Sequence, residues 1–231
     1  HLRNIELACA SNWQELLQQR RKTIREFNEG LGYELRRGLH SAQRLPAIAA
    51  YDENRCNEVL DTLQSTTQVP TLRLNTVFQQ QPWTRNDWPV ALSGMPNDVA
   101  QQWQSQIDLL KHNNTTPDHR FADWSLFLIS RLLERKVPIA AGTDTPIGLG
   151  IPGYSLHTEL ELLVAGGMTP TQALYAATVA PTHFFGNTDE IGQIKPGMTA
   201  DLILLNANPL DDISNTRDIA AVMTGGTWIP R

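Results

Sequence analysis

Cysteine is scarce. Cys9 and Cys56 are the only two in 231 residues, and they form no Cys-x-x-Cys or Cys/His zinc spacing. The simpler reading is two half-buried thiols; a disulfide between them would suggest an oxidising compartment, and both readings stay open. No stretch approaches the roughly 18 apolar residues needed to span a bilayer, and no secretory signal opens the chain, so no membrane partner is expected. Basic runs are absent beyond Arg20-Arg21-Lys22, and the net charge is -5, which argues against a nucleic-acid partner. Also missing are a Gly-x-Ser-x-Gly elbow, a phosphate loop, a complete Gly-x-Gly-x-x-Gly before a helix, and a His-x-Glu with Pro-Cys-x-x-Cys deaminase signature. The chain opens on His1 rather than Met, so this is not expected to be the start of translation. A soluble protein is expected, with cytoplasm and periplasm both open as its compartment.

Hydrophobic residues make up 41% and charged residues 19%, as in ordinary globular proteins. Ser11 and Gln14 have the form of a capping box, and Leu17, Ile24 and Leu31 recur at seven-residue spacing, which predicts an amphipathic helix over 12–29. Asp52 can cap a second helix carrying Cys56, Val59, Leu60 and Leu63. Val69-Pro70-Thr71-Leu72-Arg73-Leu74 reads as a short strand. Residues 76–120, rich in proline, Asn and Gln, read as a long excursion with a helix near 98–111. It is either a lid or a surface insertion. Asp123 can cap a helix bearing Leu126, Ile129, Leu132 and Leu133. Val137-Pro138-Ile139-Ala140-Ala141 then reads as a strand buried on both faces, as in parallel sheets. A helix over 156–164 ends at Gly166-Gly167. Thr169-Pro170-x-Gln172 caps another over 171–177, and Pro181 opens a separate short segment. From about 187 the chain becomes β-rich, with strands at 201–206 and 220–224 and a turn at Gly225-Gly226. The order of elements predicts an α/β fold.

Asp144, in Gly142-Thr143-Asp144-Thr145, follows the apolar strand, at the sheet edge where parallel α/β folds collect catalytic groups. A carboxylate there needs a partner, a hydrogen bond or a cation; alternatively it caps the next turn. His157 follows in Ser155-Leu156-His157-Thr158-Glu159 and can face the same site or be satisfied by backbone. Glu159 suits the start of its helix. Trp83, Trp88 and Trp103 in the excursion leave open a weaker reading, a sugar-binding module that stacks on aromatic rings.

Ala141-Gly142-Thr143-Asp144-Thr145-Pro146 resembles the end of barrel strand eight in the amidohydrolase superfamily, and most closely its imidazolonepropionase-related branch. Four further stretches follow in register. These are Pro152–Leu160, Ala165–Leu174, Ala176–Pro181 and Gly192–Leu202. More weakly, His1-Leu2 resembles the end of strand six and Val69–Leu72 resembles strand seven. The resemblance implies the C-terminal part of a (β/α)8 TIM-type barrel over residues 1–186, followed by part of a small β-sandwich over 187–231. It implies a metal-dependent hydrolase of amide, cyclic amide or dipeptide-like C–N bonds, holding one or two divalent ions with zinc expected. Asp144 would be a metal ligand and the proton-transfer group, His1 a second ligand, and His157 a substrate or outer-sphere residue. The expected partner is a small-molecule substrate, and a homo-oligomer is possible. Strand one's His-x-His, the strand-four bridging residue and the strand-five His have no counterpart here. A fragment of a longer enzyme, inactive alone, is therefore expected. The competing expectation is a non-catalytic half-barrel completed by a partner chain.

Overall fold

A computed structural model of the chain describes residues 2, 4–27, 32–112 and 118–230. The N-terminal part is helical. Helices α1 (Ile5–Ala8), α2 (Trp13–Glu26), α3 (Gly32–Ala49) and α4 (Glu53–Thr62) pack around Cys9 and Cys56, which are bonded to each other and fully buried. The pairing corrects the reading of two separate thiols. Cys9 closes α1 and Cys56 lies one turn into α4, and packing of these two helices brings the Cα atoms to 4.2 Å. Asp52 caps α4 as expected, its carboxylate accepting the Arg55 amide.

After α5 (Leu72–Asn75), the excursion runs through short helix α6 (Val77–Gln80), a 3-10 turn (Pro82–Thr84), short helix α7 (Trp88–Ser93) and the longer α8 (Asn97–His112). Helix α9 (Arg120–Glu134) buries Ser125, Leu128, Ile129 and Leu132, three or four apart on one face. Asp123 lies in its first turn rather than at its cap. Helix α10 (Tyr154–Ala165) packs on α5, α9 and α11 (Pro170–Phe185). Thr169 and Gln172 form the expected capping box. Unlike the sequence expectation, α11 does not stop near 177 but runs through Pro181 to Gly186. Burial of Ala173, Ala176 and Thr182 holds the helix together across the amide that proline lacks.

The two apolar segments expected as strands form a minimal parallel contact. The Gln68 amide donates to the Pro138 carbonyl (2.8 Å) and the Ala140 amide to the Gln68 carbonyl (2.9 Å). Neither extends into a ladder. On the far side of 137–141 the next neighbour is α11, whose Ala176 carbonyl accepts the Ala141 amide. The segment at 69–74 does not continue as a strand: Thr71 takes a left-handed conformation (φ 52°) and the chain turns into α5. The main core joins Leu2, Ile5 and the disulfide to Leu60, Leu128, Leu132, Ile139 and Leu163.

The tail is an antiparallel meander of β1 (Leu202–Leu205), β2 (Ile219–Thr224) and β3 (Thr227–Pro230), with β2 in the middle. Gly225 and Gly226 both take positive φ, 53° and 79°, as the two-residue hairpin demands. The fold is α/β, with helices dominant and one small sheet.

Candidate functional site

The chain leaves the parallel contact at two neighbouring turns. Each turn contains a non-glycine residue in the left-handed region: Thr71 (φ 52°) and Asp144 (φ 53°). That conformation disfavours a side chain with a Cβ, so the surroundings must hold it. They do so mainly through Arg73.

The Arg73 side chain is 5% exposed. Its guanidinium reaches into the Asp144 loop and donates to four backbone carbonyls. Nε reaches Thr143 (2.6 Å) and Nη1 reaches Gly148 (2.9 Å), while Nη2 serves Ile147 and Asp144 (3.5 Å). Two glycines make room. A Cβ on Gly150 would sit 2.7 Å from the guanidinium, and one on Gly148 would sit 2.5 Å from Leu74. Gly142 likewise lets its strand approach Val69, which a Cβ would meet at 2.5 Å. These glycines shape a loop around an arginine.

Behind Arg73 lies Glu159 of α10, fully buried. Its carboxylate accepts the amides of Leu72 (3.0 Å) and Arg73 (2.8 Å), which turns the chain into α5 and ends the extended run. Burial pushes the Glu159 carboxyl up to about 7, against the pull of those amides and of the Arg73 charge. Burial also lowers the Arg73 pKa, opposed by Glu159 and Asp144, but a guanidinium in a protein stays charged.

Above the loop, the excursion forms a roof. Trp88, Leu92, Trp103 and Ile107 make an apolar cluster with Leu149 and Ile151 of the Asp144 loop. Trp88 and Trp103 are buried in it, so their faces are not open to stack on sugars, while Trp83 is half-buried. Arg217 from the 3-10 turn Ile213–Arg217 pins the roof's edge. It binds Glu161 (2.6 Å) and Thr158 (2.7 Å) of α10 and lies 3.8 Å from Asp87. The Tyr154 hydroxyl also donates to Asp87 (2.7 Å), and burial together with that bond pushes its pKa up to about 12.

The predicted residues fall in different places. Asp144 is half-buried on the clamped loop. His157 lies on α10 and hydrogen-bonds through Nδ1 with Thr216 (3.0 Å), which ties α10 to the turn before β2. His1 lies outside the described residues. Among the described residues, no group of three His, Cys, Asp or Glu side chains gathers to hold a metal ion. Asp144 is a suitable oxygen donor, but zinc takes three or four protein ligands, so the described residues do not by themselves make such a site. Sequence reading missed Arg73, which lay inside a supposed strand, and saw in Glu159 only a helix-dipole residue. A cation within an apolar run was the available signal.

Comparisons with known proteins point the same way. The amidohydrolase family model matches residues 125–229. Ochratoxinase from Aspergillus niger is 39% identical over 103 residues, 44% of this chain and 20% of that protein. Imidazolonepropionase from Geobacillus kaustophilus is 38% identical over 77 residues, 33% of this chain and 18% of the relative. The chain thus aligns with only about a fifth of the length of these relatives. A solved Xaa-Pro dipeptidase with methionine in its active site superposes with a TM-score of 0.53 at 22% identity. It covers 75% of this chain and 37% of that one, a likeness of fold alone. The fold is accordingly of the TIM-barrel type. Among the described residues no helix is long and apolar enough to cross a membrane. Over residues 125–229, which include the whole Asp144 loop, the chain is similar to the amidohydrolase family.

Proposed function

We propose that this chain is the C-terminal part of a metal-dependent hydrolase acting on amide, cyclic amide or dipeptide-like C–N bonds. Residues 1–186 would form the end of the barrel and 187–231 part of a small β-sandwich. The carrying observation is Asp144, a carboxylate set just past a parallel segment on a loop fixed from both sides. A divalent ion, with zinc expected, would supply Lewis acidity at this site. Asp144 would be one of the residues that hold it, and would take up a proton and pass it to the leaving nitrogen. His1 is a second ligand by resemblance. The remaining donors come from beyond the described residues. His157, hydrogen-bonded to Thr216, is a substrate or outer-sphere residue. The substrate is a small molecule.

The test is hydrolysis of N-acyl amino acids and dipeptides, with metal content measured alongside. Asp144→Ala should abolish turnover and lower bound metal while keeping the fold. Full activity and full metal in that variant would remove Asp144 from the mechanism. A second reading, an inert half-barrel completed by a partner chain, draws on the missing three-ligand group among the described residues. It predicts that the chain alone holds no stoichiometric metal.

A further inference from the structure

We propose that Arg73 is a positioning residue for Asp144, an internal cation whose guanidinium sets the loop that carries the reactive carboxylate. The proposal rests on the hydrolase reading for its chemistry and on the geometry alone for its mechanics.

Four carbonyl oxygens of one loop converge on one guanidinium: Thr143, Asp144, Ile147 and Gly148. Carbonyls that converge this way repel one another, so the loop keeps its shape only with a cation at its centre. The loop is also built to this cation, since any side chain at Gly150 would collide with it. Arginine suits the task because its planar fork spreads five donors across separated acceptors, whereas a lysine ammonium offers three from one point. Arg73 is in turn fixed at its own backbone, since Glu159 accepts the Arg73 and Leu72 amides. A rigid path therefore runs from α10 through Glu159 to α5, and from the Arg73 side chain to the Asp144 backbone. Asp144 sits at φ 53°, where its side chain leaves the backbone in a direction an ordinary turn would not give. The direction of its carboxylate thus depends on Arg73, although Arg73 need touch neither substrate nor metal.

The experiment uses the chain as it stands, with Arg73→Ala, Arg73→Lys and wild type compared by hydrogen–deuterium exchange. In Arg73→Ala, amides in 143–150 should exchange about tenfold faster or more, while α9, α11 and β2 keep their protection. Guanidinium chloride at about 10–50 mM, far below the molar denaturing range, should restore protection in Arg73→Ala, and sodium chloride should not. Arg73→Lys should recover only part of it. Wild-type protection of 143–150 in Arg73→Ala, or loss spread over the whole chain, would overturn the clamp.

Where the hydrolysis assay gives turnover, Arg73→Lys should lower kcat about tenfold or more with KM within about twofold, the sign of lost transition-state geometry. Guanidinium should restore turnover to Arg73→Ala and not to Asp144→Asn. An equal rise in KM with kcat unchanged would refute positioning. If wild type shows no turnover the hydrolase reading falls, and if Asp144→Ala hydrolyses normally Asp144 leaves the mechanism; in either case the exchange data still judge the Arg73 clamp independently.

Discussion

Two regions bury a carboxylate, and they treat it differently. In the N-terminal helices Glu6 is 1% exposed, yet among the described residues neither of its oxygens has a hydrogen-bond partner. Arg44 Nε stands 3.8 Å away, and the pull of the Glu6 and Asn4 amides and of Arg44 does not offset burial, which raises the carboxyl. Beneath the Asp144 loop Glu159 is just as buried but accepts two backbone amides at 2.8 and 3.0 Å. The first region has a covalent staple three residues from Glu6, at Cys9, and can tolerate a poorly matched charge. The second has no staple near Asp144, so its shape must come from hydrogen bonds and packing. A buried ion with fixed partners reads as a device; one without them reads as a tolerated defect.

The sharpest way to break the comparison is to remove Glu159. Glu159→Ala strips two buried amides of their acceptor and leaves the Arg73 charge without its nearest opposite. Removing one partner from such a buried charge costs about 3–5 kcal/mol, and urea unfolding should show it as a lower midpoint. A loss below about 1 kcal/mol would mean that the two carboxylates are equivalent after all.

The staple gives the next largest effect. Cys9→Ala with Cys56→Ala frees a loop closed at a sequence separation of 47, which the chain-entropy estimate values at about 4 kcal/mol, often less in practice. Exchange protection should fall in α1–α4 and remain in α10. If the Asp144 loop loosens equally, the two regions are one cooperative unit.

Packing from the roof should matter somewhat less. Leu149 is 4% exposed among Trp88, Trp103 and Ile107. Leu149→Ala should cost about 2–4 kcal/mol and speed exchange at 149–151, with less effect at Thr143, which Arg73 holds from the other side. An equal loss at Thr143 would mean that roof and clamp do not act separately.

How much of this was legible in the sequence follows the same division. The Thr169–Gln172 capping box, the Asp52 cap, the apolar stripe of α9 and the Gly225-Gly226 hairpin are local patterns, and each was readable. The position of Asp144, just past the parallel contact, was readable too, because the apolar run before it is local. The Arg73–Glu159 pair spans 86 positions, and the residues of the clamp are ordinary in isolation. The supposed strand at 69–74 failed for the same reason. A carboxylate from a distant helix captures its amides and bends it. Propensity cannot see such an acceptor. The disulfide was likewise undecidable, since pairing depends on where α1 and α4 meet.

Acidity offers a gentler probe. Burial raises the Glu159 carboxyl to about 7 from an unfolded value near 4.5, so the folded chain holds its proton more tightly than the unfolded chain. Its contribution is therefore fully present below about pH 4.5 and is lost as pH rises towards about 7, on the order of 1–3 kcal/mol. Glu6 is shifted the same way by burial, so the wild-type slope is shared. Glu159→Gln should flatten the stability profile in that window, and the difference from wild type isolates Glu159. A profile unchanged by the substitution would show that the two amides and Arg73 balance the desolvation, leaving no net shift.

The smallest expected effect belongs to Glu6, and it closes the comparison. Glu6→Gln keeps the shape and removes a charge whose desolvation outweighs the pull of the nearby amides and of Arg44. Arg44 loses an attraction at 3.8 Å but keeps its stacking on the Phe121 ring at 3.7 Å. The change should therefore stay within about 1 kcal/mol of wild type and can be stabilising. Thermal unfolding at neutral pH measures it directly. A loss comparable to that of Glu159→Ala would show that Glu6 is held by something as exacting as a pair of backbone amides, and the N-terminal helices would then deserve the same functional reading as the Asp144 loop.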